Sequence, residues 1–170
     1  MTPRDDAKDG LMDHRGWLGV CLSFLLSVLL VPGSTAAADA AACDAYADQA
    51  AQQAALAVRF ACKFHGPRWS NDADTHREWC RASTKAAVQA EADSRTTDIR
   101  LCMCDWYANN ALSQAKANDA RGCGFAGPRW SLDRSAHYRW CVLDKAPLKT
   151  LESEIKTRQE LLAKCASTDR

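Results

Sequence analysis

The sequence predicts an all-α protein built from two tandem, disulfide-stapled antiparallel helical hairpins. Three observations predict it. One four-cysteine unit occurs twice at matched offsets. Each copy alternates long Gly- and Pro-free runs with a Gly-Pro breaker. No segment shows the period-two alternation of a half-buried strand.

The duplication comes first, because it fixes the register of everything else. Each unit opens with Cys-Asp-x-Tyr-Ala-x-x-Ala-x-x-Gln, at Cys43 to Gln53 and again at Cys104 to Gln114. A second cysteine follows at the same distance, Cys62 and Cys123. Phe64, Gly66, Pro67, Arg68, Trp69, Ser70, Asp72, His76, Trp79 and Cys80 then match Phe125, Gly127, Pro128, Arg129, Trp130, Ser131, Asp133, His137, Trp140 and Cys141. Beyond that point the second copy gains two residues near Pro147. Both copies close on the same spacing, Glu91, Arg95, Cys102 against Glu154, Arg158, Cys165. The domains are therefore a leader over 1–38, a first repeat over 39–103 and a second over 104–170.

Within each repeat the elements follow from composition. Residues 44–61 and 105–121 are Ala-rich and lack Gly and Pro, which favours helix. Asn109, Asn110 and Asn118 weaken the second of these. Gly-Pro-Arg-Trp-Ser breaks the helix, and Ser70 and Ser131 then read as N-caps, with Asp72 and Asp133 in the first turn. A second helix is expected from about 71 to the mid-90s or beyond, and from 132 onward, where Pro147 interrupts it. Glu91 with Arg95 and Glu154 with Arg158 form i,i+4 pairs of the favourable orientation. The helix of the first repeat either passes unbroken into the second repeat or breaks, at Ser94–Thr97 or at Cys102-Met103-Cys104.

Four cysteines allow three connectivities. A helix climbs about 1.5 Å per residue, so Cys43 and Cys62 stand roughly 28 Å apart and Cys80 and Cys102 roughly 33 Å. Two antiparallel legs of that length put Cys62 beside Cys80 at the turn and Cys43 beside Cys102 at the open end. The expected bonds are nested: Cys43–Cys102, Cys62–Cys80, Cys104–Cys165 and Cys123–Cys141. The helices that open each unit offer Ala rather than Leu or Phe to the interior, and so small a core requires covalent help.

Residues 17–31 form an uncharged apolar run that is too short to span a bilayer and leads into Ala36-Ala37-Ala38. This reads as a signal peptide cleaved after Ala38. Its start is Met1 or Met12, the stretch between them being acidic rather than cationic. A lipid anchor at Cys43 fits poorly, because Ala40 replaces the usual aliphatic and the apolar core ends at Val31. Cleavage removes Cys21 and leaves eight cysteines, an even set that reads as disulfides in a periplasmic or secreted protein. The leader holds three of the 22 basic and four of the 21 acidic residues, so the mature chain carries about +2. Nothing there points to nucleic acid, and no membrane span remains after cleavage.

Several groups bear chemistry. Arg68-Trp69 and Arg129-Trp130 are the candidate binding residues. An exposed Trp beside an Arg stacks on a sugar or a partner surface. The competing reading packs Trp69 and Trp79 across the turn, over a Cys62–Cys80 bond. His76 and His137 each precede a cysteine by four residues, the spacing of a metal pair if the sulfur is a free thiolate. Together with His65 they define a metal-binding alternative. The plainer role for each is a hydrogen bond to the loop above it. Ser70, Asp72 and His76 match the residue types of a hydrolase triad, but capping explains them and no nucleophile-elbow motif is present. Neither a redox Cys-x-x-Cys nor a haem-attachment motif occurs, so no cofactor and no catalytic residue is assigned.

The set Cys-x-x-Tyr-Ala, Gly-Pro-Arg-Trp-Ser and His-x-x-Trp-Cys resembles a cysteine-rich repeat of exported bacterial proteins, over residues 43–165. That resemblance implies an envelope location and a binding or structural module, and it supplies no catalytic residues. The expected function is a non-catalytic envelope module with a protein or glycan partner. A periplasmic metal-binding protein is the alternative.

Overall fold

The structure, a computed structural model, describes residues 36–168. Residues 1–35, which contain most of the expected leader, lie outside that range. The described chain is all-α: helices α1 (Ala40–Arg59), α2 (Ala73–Arg81), α3 (Lys85–Ala120), α4 (Arg134–Leu143) and α5 (Leu148–Thr168). Single 3₁₀ turns at Pro67–Trp69 and Pro128–Trp130 mark the two Gly-Pro-Arg-Trp-Ser loops. The one β-bridge among the described residues joins Ala37 to Thr84.

Each repeat contains three helices rather than a two-legged hairpin. The return leg expected to run unbroken from 71 stops at Arg81. Ala82 N–H still reaches back to Glu78, but Thr84 then caps a new helix by accepting from Ala87 N–H at 3.2 Å. In the second repeat the same break falls at residues 144–147. There Lys145 turns at φ 48° and Ala146 N–H donates to the Cys141 carbonyl, with Pro147 preventing helix continuation. The two extra residues of the second copy are this longer corner.

That break overturns the nested disulfides. The bonds are Cys43–Cys80, Cys62–Cys102, Cys104–Cys141 and Cys123–Cys165, with Cα separations of 5.5, 5.9, 5.5 and 5.7 Å. Helical rise still sets the spacing along each leg, but the second leg is two helices, α2 and α3, rather than one. The loop after α1 and then α2 carry the chain back down α1, which brings Cys80 to Cys43. From there α3 climbs beside α1, and by Cys102 it has reached the level of Cys62. Each bond closes a separation of 37–42 residues, worth about 4 kcal/mol in the chain-entropy picture.

Helix α3 is continuous through both places where a break was considered. Its first half completes the first repeat and its second half opens the next. Cys102 and Cys104 lie two residues apart, about 200° around the helix, so one sulfur bonds back to the first repeat and the other forward into the second. Phe60 meets Trp106 at a tilt, ring centres 4.8 Å apart, and Arg59 pairs with Glu152, adding contacts between repeats.

The caps also differ from expectation. Asp72 and Asp133, not Ser70 and Ser131, are the N-caps of α2 and α4, accepting from Asp74 N–H at 3.0 Å and Ser135 N–H at 2.8 Å. Ser70 and Ser131 sit two residues earlier and accept from the Asp72 and Asp133 amides, both at 3.1 Å. The Asp holds the helix amide and the Ser the turn before it, so two residues share each corner.

Candidate functional site: one cleft in each repeat

The interior of each repeat is small. In the first, Cys43, Tyr46, Ala50, Cys80 and Val88 pack together. In the second, Cys104, Tyr107, Ala111, Cys141, Ala146, Leu151 and Ile155 do so. Ala along α1 and α3 lets the neighbouring helices approach closely, and the aromatic side chains fill what remains.

Above each core lies a cleft, and the two clefts are built from corresponding residues. The first, of about 230 Å³, is walled by Tyr46, Pro67, Arg68, His76, Trp79 and Glu91. The second, of about 430 Å³, is walled by Tyr107, Pro128, Arg129, His137, Trp140 and Glu154, with Ser131 and Arg158. Tyr meets Trp at 5.4 and 5.2 Å, and His stands edge-on to the same Tyr at 6.1 and 6.3 Å. Trp79 is 41% exposed. Burial raises the Tyr46 and Tyr107 phenols above their ordinary pKa, and Arg158 opposes this at Tyr107.

The histidines are structural donors. His76 Nε2 lies 2.8 Å from the Ser70 carbonyl and His137 Nε2 2.8 Å from that of Ser131. A carbonyl only accepts, so each ring carries its proton on Nε2. Among the described residues no three His, Cys, Asp or Glu side chains converge in a way that could hold a metal ion. His76 and His137 belong to different repeats, His65 is exposed, and the cysteines four residues after His76 and His137 are oxidised.

Arg68 and Arg129 line the clefts and also tie their loops to the next helix. Arg68 donates from Nε to Glu91 at 2.6 Å, from Nη1 to Asp98 at 2.8 Å and from Nη2 to Ser94 at 2.8 Å. Arg129 grips both oxygens of Glu154, at 2.9 and 2.7 Å. Trp69 stacks on Phe64 at 4.2 Å and Trp130 on Phe125 at 4.9 Å. Trp69 and Trp79 do not pack across the turn, since Trp79 faces Tyr46. Trp69 lies instead against the guanidinium of Arg95, 4.3 Å from the ring centre.

Arg95 and Arg158 are the largest departure from the sequence reading. Both are expected to pair with the Glu four residues earlier; they are 0% and 1% exposed, and only Arg158 keeps its Glu within reach, at 3.7 Å from Glu154. Arg95 donates from Nε to Gln53 at 2.9 Å, from Nη2 to the Ala50 carbonyl at 2.6 Å and from Nη1 to the Arg68 carbonyl. Burial lowers its pKa, and Tyr46 and Glu91 work against that fall. Arg158 instead donates from Nε to the Arg129 carbonyl at 3.0 Å and from Nη2 to Tyr107 Oη at 2.7 Å. Its Nη1, like Gln114 Oε1, is buried without a partner. Tyr46, Trp79 and Glu91, which line the first cleft, all recur between the repeats. What the sequence did not show was that helix breaks at 82–84 and 144–147 would turn them onto one face.

No family model, curated protein or solved structure matches the chain.

Proposed function

We propose that this protein is a non-catalytic, exported binding module of the bacterial cell envelope. It recognises a protein or glycan partner through the Arg68-Trp69 and Arg129-Trp130 loops and the cleft beneath each. One observation carries the reading: the same Tyr, His, Trp, Arg and Glu wall a cleft in both repeats. Aromatic faces beside planar charged groups suit sugar rings and partner side chains alike. A periplasmic or secreted location accords with the fully paired cysteines of the described residues, which need an oxidising compartment. It accords also with the apolar leader of the sequence and its resemblance to exported cysteine-rich repeats. No helix among the described residues is long and apolar enough to cross a membrane.

The test is capture of a partner from envelope extract by the oxidised protein, repeated with Arg68→Ala and Arg129→Ala together. Capture should disappear while the melting temperature falls only slightly, because half-exposed ion pairs contribute about 1 kcal/mol or less. A collapse of the melting temperature instead would make the loops scaffold and end this reading.

A further inference from the structure

The two clefts share a backbone and differ in charge balance. In the first, Arg68 faces one carboxylate on the cleft wall, Glu91, and binds a second, Asp98, outside the cleft. Position 161 corresponds to 98, by the register that aligns Glu91 with Glu154 and Cys102 with Cys165, and there the second repeat carries Leu161. Arg129 and Arg158 therefore share Glu154, which is bidentate to Arg129 and 3.7 Å from Arg158 Nη2. Among the described residues lining the second cleft, Glu154 is the only carboxylate.

The geometry has shifted with the charge. Arg95 turns inward to Gln53 and Ala50 and does not line the first cleft. Arg158 releases the equivalent glutamine, leaving Gln114 Oε1 unpaired, and reaches Tyr107 on the wall of the second cleft. Its Nη1 is left without an acceptor although the side chain is 99% buried. A guanidinium in that state seeks an anionic oxygen, and a carboxylate matches its planar fork.

We infer that the second cleft is a site for a small carboxylate-bearing ligand, an acidic sugar or a free organic acid, and that the first cleft is not. The ligand's carboxylate supplies, from within the cleft, the second acceptor that Asp98 gives Arg68 in the first repeat. It accepts from Arg129, whose Nη1 is not engaged by Glu154, and from Arg158 Nη1 once that side chain turns outward, and the rest of the molecule lies against Trp140 and Tyr107. This deepens the binding-module reading and rests on it.

Titration calorimetry of the oxidised protein with glucuronate, acetate and glucose tests the inference. Glucuronate should bind at one site per chain, and glucose about tenfold or more weaker. Acetate weaker than glucuronate identifies an acidic sugar as the source, whereas acetate of equal strength identifies the carboxylate alone. Leu161→Asp supplies the missing counter-ion and should weaken glucuronate about tenfold or more without lowering the melting temperature. Two equal sites, equal binding of glucose, unchanged binding in Leu161→Asp, or no binding of either acid overturns the inference. If it fails while the Arg68→Ala, Arg129→Ala pair still loses its envelope partner, the binding-module reading stands without it. If that partner test fails while glucuronate binds once per chain, the acid site stands and the wider reading falls.

Discussion

The two repeats are close to a controlled experiment on one scaffold. Disulfide spans, capping aspartates, His-to-carbonyl bonds and Tyr–Trp contacts recur almost unchanged. The interiors do not. The first repeat satisfies its buried guanidinium completely and closes over Val88 and Ala92. The second packs Leu151 and Ile155 instead and leaves two buried polar atoms unpaired. Polar satisfaction holds one half and apolar area the other. A shared backbone therefore does not dictate a shared energetic basis, and the half with the larger apolar core is the one with an unmet donor beside its cleft.

Exchanging the buried arginines probes this contrast most strongly. Arg95→Met strands Gln53 Oε1 and the Arg68 carbonyl, and should cost about 4 kcal/mol, about 2 for each buried acceptor left unpaired. Arg158→Met removes a group that is already incompletely bonded, and should cost about half as much. Denaturant unfolding of the oxidised variants measures both. Equal losses would show that the unpaired Nη1 has no energetic consequence.

A smaller difference separates the apolar residues. Leu151 is fully buried and corresponds to Val88 at 9% exposure. Leu151→Ala should cost about 3 kcal/mol. Val88→Ala, removing less apolar volume at a more open position, should cost about 1.5 kcal/mol. Melting temperatures that fall equally would place the two interiors on the same footing.

The smallest effect lies at the end of the first helix of each unit. Ala61 stands at φ 54° where the second repeat has Gly122 at φ 67°. In both, the following cysteine amide donates five residues back, Cys62 to Ala57 and Cys123 to Asn118, which fixes the left-handed residue between them. A Cβ at Gly122 meets nothing within 4 Å, so only the backbone resists it. Gly122→Ala should destabilise by about 1 kcal/mol, and Ala61→Gly should gain somewhat less because glycine loosens the unfolded chain. Thermal melts of both single variants decide the sign.

Much of the architecture was legible from the chain. Repetition at fixed offsets identified the unit, and Ala-rich runs without Gly or Pro gave α1 and the second half of α3. The Gly-Pro-Arg-Trp-Ser breaker placed both loops, and an even cysteine count beyond the expected leader implied oxidation. All of these are local or self-comparing signals. The break at Ala82–Thr84 was not legible, because Ser83 and Thr84 depress helix propensity only slightly and lack the force of Pro147. Asn118 is a related case. Its side chain is unremarkable in a helix, yet it pins the next loop by donating to the Phe125 carbonyl at 2.9 Å and accepting from its amide at 3.0 Å.

By itself, then, the sequence determined a duplicated, all-helical, cysteine-stapled unit and the residues that recur in it. Tertiary structure alone decided which sulfurs meet, which arginines are buried and which side chains wall a cleft. The physical reason is that propensity and periodicity act within a few residues, whereas a change of direction at one weak corner repositions every contact beyond it. Arg95 reads as half of an i,i+4 pair until α3 turns it toward Gln53, and only then does Leu161, at the position of Asp98 in the other copy, acquire meaning.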